Sequence, residues 1–133
     1  MQITRQADYA VRAVQYLADM DNGSRAATSI IARDKHIPPS FLAKIVSQLS
    51  VAGVVQTSRG ARGGVSLARD PEQITLLEVV EAIDGPITLN ECVNDPAACT
   101  FASTCVMRPV WCDAQTAILK RLGSTSFAGK NGN

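Results

Sequence analysis

Apolar residues recur with helical spacing at the start of the chain. Tyr9, Ala10, Ala13, Val14, Leu17 and Met20 fall on one stripe of residues 7–20, which predicts a helix with one buried face. Asp21-Asn22-Gly23 supplies its stop. A shorter helix is predicted from about Thr28 to Lys35, with Ile30 and Ile31 inward and Thr28 or Ser29 as its cap. Pro38-Pro39 bars a helix before it and favours one starting there. In that next helix Phe41, Leu42, Ile45, Leu49 and Ala52 make the apolar face, and Gly53 is its stop. Ser40, Lys44, Ser47 and Gln48 lie off the stripe. A short helix, a tight turn and a helix with a polar outer face form a helix-turn-helix pattern. Two packed helices with a merely solvated face would give the same pattern.

The pattern then changes. VVQTSRGARGGVSLAR contains two β-rich runs, Val54–Ser58 and Val65–Ala68, around a tip that carries Arg59, Gly60, Arg62, Gly63 and Gly64. A helix-turn-helix followed by a β-hairpin is a winged helix. Arginines on a narrow hairpin tip suit phosphate clamping or minor-groove entry. Beyond Pro71, Thr75 and Glu78 have the spacing of a capping box. They open a helix packed through Leu76, Leu77, Val79, Val80 and Ile83 and ended by Gly85-Pro86. A last helix is predicted from near 104–109 to about Leu122, with Val110, Ala114, Ala117, Ile118, Arg121 and Leu122 at helical spacing and Trp111 widening the face. So apolar a helix near a chain end suggests pairing with a second copy. The small-residue segment from Gly123 onward is expected to be a disordered tail.

The expected fold class is therefore mainly α: a winged helix-turn-helix DNA-binding domain with a long C-terminal dimerisation helix. The expected division is 1–85 for the DNA-binding domain, 86–106 for a cysteine-rich loop, 107–122 for the dimerisation helix and 123–133 for the tail.

Charge sharpens the DNA reading. Residues 1–70 carry nine Lys/Arg against five Asp/Glu, whereas residues 71–133 carry four against seven. A basic front half suits a polyanionic partner, although ordinary surface charge gives a similar imbalance. No apolar run approaches the roughly 18 residues that span a bilayer. The opening MQITRQADYAVRA has no apolar signal-peptide core, so a cytoplasmic location and no membrane partner are expected. One histidine and the absence of nucleophile-elbow, Walker and Rossmann motifs leave no support for an enzyme.

The candidate chemistry lies between residues 92 and 112, ECVNDPAACTFASTCVMRPVWC with its preceding Glu91. All four cysteines are here, spaced C-x6-C-x5-C-x6-C. In a reducing compartment such a group points to metal or redox chemistry rather than structural disulfides. Zinc sites use tighter C-x2–4-C pairs, and none is present. A loop of small residues with wide gaps suits a larger thiolate-bound iron–sulfur cluster. A thiol/disulfide switch is the alternative chemistry, and four merely structural cysteines the blandest one.

These segments together resemble a known family: the winged-helix iron–sulfur transcription regulators that include IscR, NsrR and RirA. The resemblance covers residues 1 to about 122. It rests on MQITRQADYAVRAVQYLA, IPPSFLAKIVSQLSVAGVV, RGARGGVSLAR, ITLLEVVEAIDGP and three cysteines before a long helix. It implies a homodimer joined through the long helix, palindromic double-stranded operator DNA as ligand, and a cluster in the loop beside that helix. RNA polymerase is a further partner open to such a regulator.

By position, Cys92, Cys99 and Cys105 match the family's cluster cysteines. IscR-like members place a His three residues after the third cysteine, where this chain has Arg108. NsrR-like members can use an Asp of the first helix supplied by the partner, and Asp8 occupies that place. Cys112 is the rival fourth ligand, while His36 is expected to be a surface or DNA-backbone residue. Three thiolates and a carboxylate favour [4Fe–4S], with [2Fe–2S] open. For DNA, Ser40 and Lys44 are the expected recognition-helix contacts, and Arg59, Gly60 and Arg62 match the family's wing contacts. IscR has an acidic specificity residue where this chain has Ala43, so a different target sequence is implied. The expected function is a repressor controlled by a cluster that senses redox state, nitric oxide or iron. The alternative is a cluster-free thiol-responsive regulator.

Overall fold

The computed structural model describes residues 2–21, 23–61 and 63–128. Among the described residues, six α-helices and one hairpin follow in the order α1 (Arg5–Ala18), α2 (Thr28–Lys35), α3 (Pro39–Val51), β1 (Val55–Ser58), β2 (Gly64–Leu67), α4 (Leu76–Asp84), α5 (Glu91–Asn94) and α6 (Arg108–Gly123). The fold is mainly helical, with one two-stranded antiparallel sheet in winged-helix order. Among the described residues, no helix is long and apolar enough to cross a membrane.

The core is built where α1, α3 and α4 meet. α1 buries Ala7, Tyr9, Ala10, Ala13, Val14 and Leu17, and its alanines let α4 and α3 approach closely. Thr4 caps α1 by accepting from the Ala7 N–H at 3.1 Å. α3 starts on Pro39, whose missing N–H costs nothing in the first turn. α3 buries Leu42, Ile45, Val46 and Leu49. Two residues expected on this apolar face are not inside: Ala52 is exposed, and Phe41 is 41% exposed against the Tyr9 ring. Ala52 caps α3 instead of lying on its face, and Val46 is buried with Leu42, Ile45 and Leu49.

α2 has the expected limits, but neither Thr28 nor Ser29 caps it. Ala27 is the capping residue and gives no side-chain hydrogen bond. Its neighbour Ala26 is fixed to the wing, accepting from Val65 N at 2.8 Å and donating to Val65 O at 3.0 Å. Helix α2 therefore starts directly after this bridge, one residue earlier than a Thr28 cap would allow. Its other end is His36, in the left-handed conformation with φ 55°.

The hairpin pairs Val55 with Leu67 through to Ser58 with Gly64. α4 opens with the expected capping box: Thr75 N donates to Glu78 Oε1 at 3.0 Å and Glu78 N to Thr75 Oγ1 at 3.2 Å. The expected disordered tail departs from the structure over its first residues. Leu76 N donates to Thr125 O at 2.8 Å and Phe127 N to Ile74 O at 3.2 Å, so Ser124–Ala128 runs back along the start of α4. Phe127 is 5% exposed and belongs to the core, which supplies the reason. Residues 129–133 lie outside the described residues.

Candidate DNA-contact surface and cysteine site

The helix-turn-helix is α2, the turn at His36-Ile37-Pro38, and α3. Burying Leu42, Ile45, Val46 and Leu49 leaves the opposite face of α3 to solvent, and Ser40 and Lys44 stand exposed on it one turn apart. Arg59 and Gly60 are exposed at the hairpin tip, where Gly60 has φ 98°. Arg62, the other expected wing contact, lies outside the described residues.

Asp8 is on the exposed side of α1, with 56% of its side chain accessible. Its carboxylate accepts from Arg12 Nη2 at 2.8 Å. The same guanidinium donates through Nη1 to the Lys35 carbonyl at 3.3 Å and lies 5.3 Å from the Tyr9 ring centre. The Tyr9 and Phe41 rings are 6.2 Å apart. A contiguous set of contacts thus runs from Asp8 to the end of α2 and to the first turn of α3. Sequence reasoning missed Arg12. Its spacing of four from Asp8 on one helix was the available signal.

All four cysteines are free thiols. Cys92 is buried, and Cys99, Cys105 and Cys112 are half-buried. Cys92 is carried by α5, Cys99 follows a 3-10 turn at Pro96–Ala98, and Cys112 is in the second turn of α6. Cys105 ends a tight turn and donates its N–H to Phe101 O at 2.8 Å. Among the described residues, no three His, Cys, Asp or Glu side chains are gathered closely enough to hold a metal ion. The expected convergence of loop sulfurs is therefore not formed in the single chain. Cys92, Cys99 and Cys112 are carried by separate turns and helices, and Asp8 lies on α1. The donor chemistry nonetheless fits a thiolate-held cluster: three free thiols lie within one loop, and none is used in a disulfide.

The loop is fastened to α6 by polar contacts that the sequence did not reveal. Arg108 Nε donates to Cys92 O at 3.0 Å. Gln115, the one buried residue of α6, accepts from Leu89 N and donates to Asn94 Oδ1, each at 2.9 Å. Gln115 lies off the stripe expected for this helix: Val110, Ala114, Ala117 and Arg121 of that stripe are exposed, and Ile118 and Leu122 are half-buried. The outward part of α6 and the turn before it expose Val106, Met107, Val110 and Trp111.

Comparisons with known proteins agree with this architecture. The Rrf2 family, described as "Iron-dependent Transcriptional regulator", matches residues 3–129. The HTH-type transcriptional regulator NsrR of Shouchella clausii is 31% identical over 123 residues, covering 92% of this chain and 83% of the relative. The structure of CymR, the global cysteine regulator of B. subtilis, superposes with a TM-score of 0.78 at 28% identity, covering 96% of this chain and 93% of that one. The T. potens IscR structure shares the fold, with a TM-score of 0.76 at 23% identity and coverage of 96% and 84%. With the winged helix, the cysteine loop and the matched span in agreement, the chain belongs to the Rrf2 family of transcriptional regulators.

Proposed function

We propose that this protein is a cytoplasmic homodimeric repressor whose operator affinity is set by an iron–sulfur cluster responsive to redox state, nitric oxide or iron. The observation that carries this reading is the placement of three free cysteines in one loop clipped to α6, whose first turn and the turn before it expose Val106, Met107, Val110 and Trp111. Cys92, Cys99 and Cys105 would hold the cluster. Asp8 of the partner subunit would complete the set, with Cys112 as its rival. Three thiolates with one carboxylate suit [4Fe–4S] better than [2Fe–2S]. When bound, the cluster supplies a redox- and ligand-sensitive centre with one readily displaced ligand.

The chain's own residues account for the link to DNA. An Asp8 engaged elsewhere no longer holds Arg12, which braces the end of α2 and the Tyr9–Phe41 pair. α6 pairs two copies and so sets the spacing of their α3 helices. Two recognition helices must enter major grooves about 34 Å apart, so a small rotation costs affinity. Ser40 and Lys44 meet a palindromic operator in its major groove, and Arg59, Gly60 and Arg62 hold the flanking backbone or minor groove. RNA polymerase is the partner at the promoter.

The thiol-responsive reading is supported by a specific observation: four unpaired thiols, three of them partly accessible. Anaerobic purification followed by iron and sulfide analysis separates the two. Coloured protein holding iron and sulfide, depleted in Asp8→Ala but not in Cys112→Ala, supports the cluster and its fourth ligand. Depletion only in Cys112→Ala overturns the choice of Asp8. Colourless, iron-free protein after reconstitution, with DNA affinity that changes on thiol oxidation, establishes the alternative.

A further inference from the structure

Gln115 is placed unusually for a glutamine. It is 6% exposed in a helix whose other residues are all half-buried or exposed. A buried carboxamide left without partners is costly, so its hydrogen bonds define one geometry. Here both ends are used on the same target. Oε1 accepts from Leu89 N, three residues before Cys92, and Nε2 donates to Asn94 Oδ1, two residues after it. Asn94 is itself oriented by donating Nδ2 to Thr88 Oγ1 at 2.6 Å. The short helix α5 is thus gripped on both flanks by one side chain of α6. Arg108 adds a third hold on the Cys92 carbonyl. A helix of four residues has little stability of its own, so these contacts decide whether α5 stays closed.

We propose that Gln115 is a positioning residue for Cys92: its carboxamide locks α5 to one rotational setting of α6, so displacement at Cys92 and reorientation of α6 are a single movement. The proposal rests on the cysteine loop being the sensing site and names the side chain that carries a change there into α6. Cys99 and Cys105, outside the clip, are not held by it. The lock is directional in its chemistry. A glutamate at 115 still accepts from Leu89 N. Asn94 can then turn its amide nitrogen toward the second carboxylate oxygen while Thr88 donates to Asn94 Oδ1. An alanine at 115 leaves the Leu89 N–H and the Asn94 carboxamide without these partners.

The test uses metal-free, reduced full-length protein, so its outcome does not depend on iron content. Iodoacetamide alkylation of each cysteine is timed by peptide mass mapping, and amide hydrogen exchange is followed along α6. Cys92 is 8% exposed and reacts only through local opening, so its rate reports the closed state of α5. Losing hydrogen bonds of this kind should raise the Cys92 rate about tenfold in Gln115→Ala, with Cys99 and Cys105 changing less than about twofold. Gln115→Glu should lie closer to wild type than to Gln115→Ala. Asn94→Ala, at an exposed position that leaves folding intact, should raise the Cys92 rate and speed exchange in α6 around residue 115. A Cys92 rate unchanged in Asn94→Ala and Gln115→Ala overturns the proposal. So does an equal rise at all four cysteines, which marks general loosening, or opening of α5 with no change in α6 exchange. If the latch behaves as described while reconstituted protein holds no iron, the cluster reading fails and the latch stands.

Discussion

The Tyr16 hydroxyl donates to the Asp34 carboxylate at 3.1 Å, joining α1 to α2 beside the helix-turn-helix. Arg33 Nε donates to the other carboxylate oxygen at 3.0 Å. Hydrogen bonding from Arg33 and then Tyr16 holds the Asp34 carboxyl below the usual carboxylate range. The hydrogen bond to Asp34 raises the Tyr16 phenol above its usual range, with burial and the nearby negative charge adding to it.

These two shifts give pH limits of opposite sign. Asp34 has its lowered value in the folded state, so its contribution is complete above the unfolded carboxylate pKa and is lost as pH falls through the folded one. Tyr16 has a raised folded value, so its contribution is complete below the unfolded phenol pKa and is lost as pH rises through the folded one. Urea unfolding midpoints across pH should therefore lose part of their acid slope in Asp34→Asn and part of their alkaline slope in Tyr16→Phe. Slopes identical to wild type in both variants would remove the pair from the pH response.

Phe127 closes the core from a segment whose composition suggests no structure. Truncating a buried phenylalanine costs about 3–5 kcal/mol, whereas an exposed one costs within about 0.5 kcal/mol. Phe127 is 5% exposed and Phe101 is 70% exposed. Phe127→Ala should accordingly lower the denaturant midpoint strongly, and Phe101→Ala should not. Equal midpoints for the two variants would mean that Ser124–Ala128 does not dock on α4.

The features legible in the sequence are those with local causes. The Thr75–Glu78 capping box acts across three residues, and Pro39 and Gly53 bound α3 by their own backbone chemistry. The end of α2 at Lys35 is legible because His36 turns left-handed at once and Pro38 follows. Features set by distant partners were not legible. The inward place of Val46 over Ala52 depends on where the core meets α3, not on α3's own pattern. The docking of Phe127 depends on an open backbone edge at Ile74 and Leu76, about fifty residues away in sequence. At the cysteine site, spacing marks the donors, while the tie of their loop to α6 comes from Gln115, more than twenty residues from either of its partners.

The wing gives a prediction in terms of salt. An arginine that contacts only backbone phosphate contributes to binding of every sequence through counterion release. Arg59→Ala should weaken operator and unrelated duplex alike and reduce the slope of log K against log salt by about 1. Ser40→Ala and Lys44→Ala, on the exposed face of α3, should instead reduce the ratio of operator to nonspecific affinity if they meet base edges. Fluorescence anisotropy over a salt series measures both quantities. An unchanged slope in Arg59→Ala would dissociate the hairpin tip from the phosphate backbone.

Gly64 shows how the wing is attached to the rest of the domain. It has φ 149°, and a Cβ placed there would be 2.6 Å from the Ala26 carbonyl oxygen. That oxygen cannot move aside, because it accepts the Val65 N–H at 2.8 Å and Ala26 is anchored in return by its own N–H to Val65 O. Gly53 offers the control: its φ is 78°, but nothing lies within 4 Å of a Cβ there. Gly53→Ala should therefore cost only the left-handed backbone penalty of about 1–2 kcal/mol. Gly64→Ala adds a steric clash to an unfavourable φ and must part the Ala26–Val65 bridge. Its unfolding free energy should fall further than that of Gly53→Ala, and Ala26 and Val65 amides should exchange faster even in the folded state. Comparable losses in the two variants, with the Ala26 and Val65 amides still protected, would mean that the wing is not held to the start of α2 by this bridge.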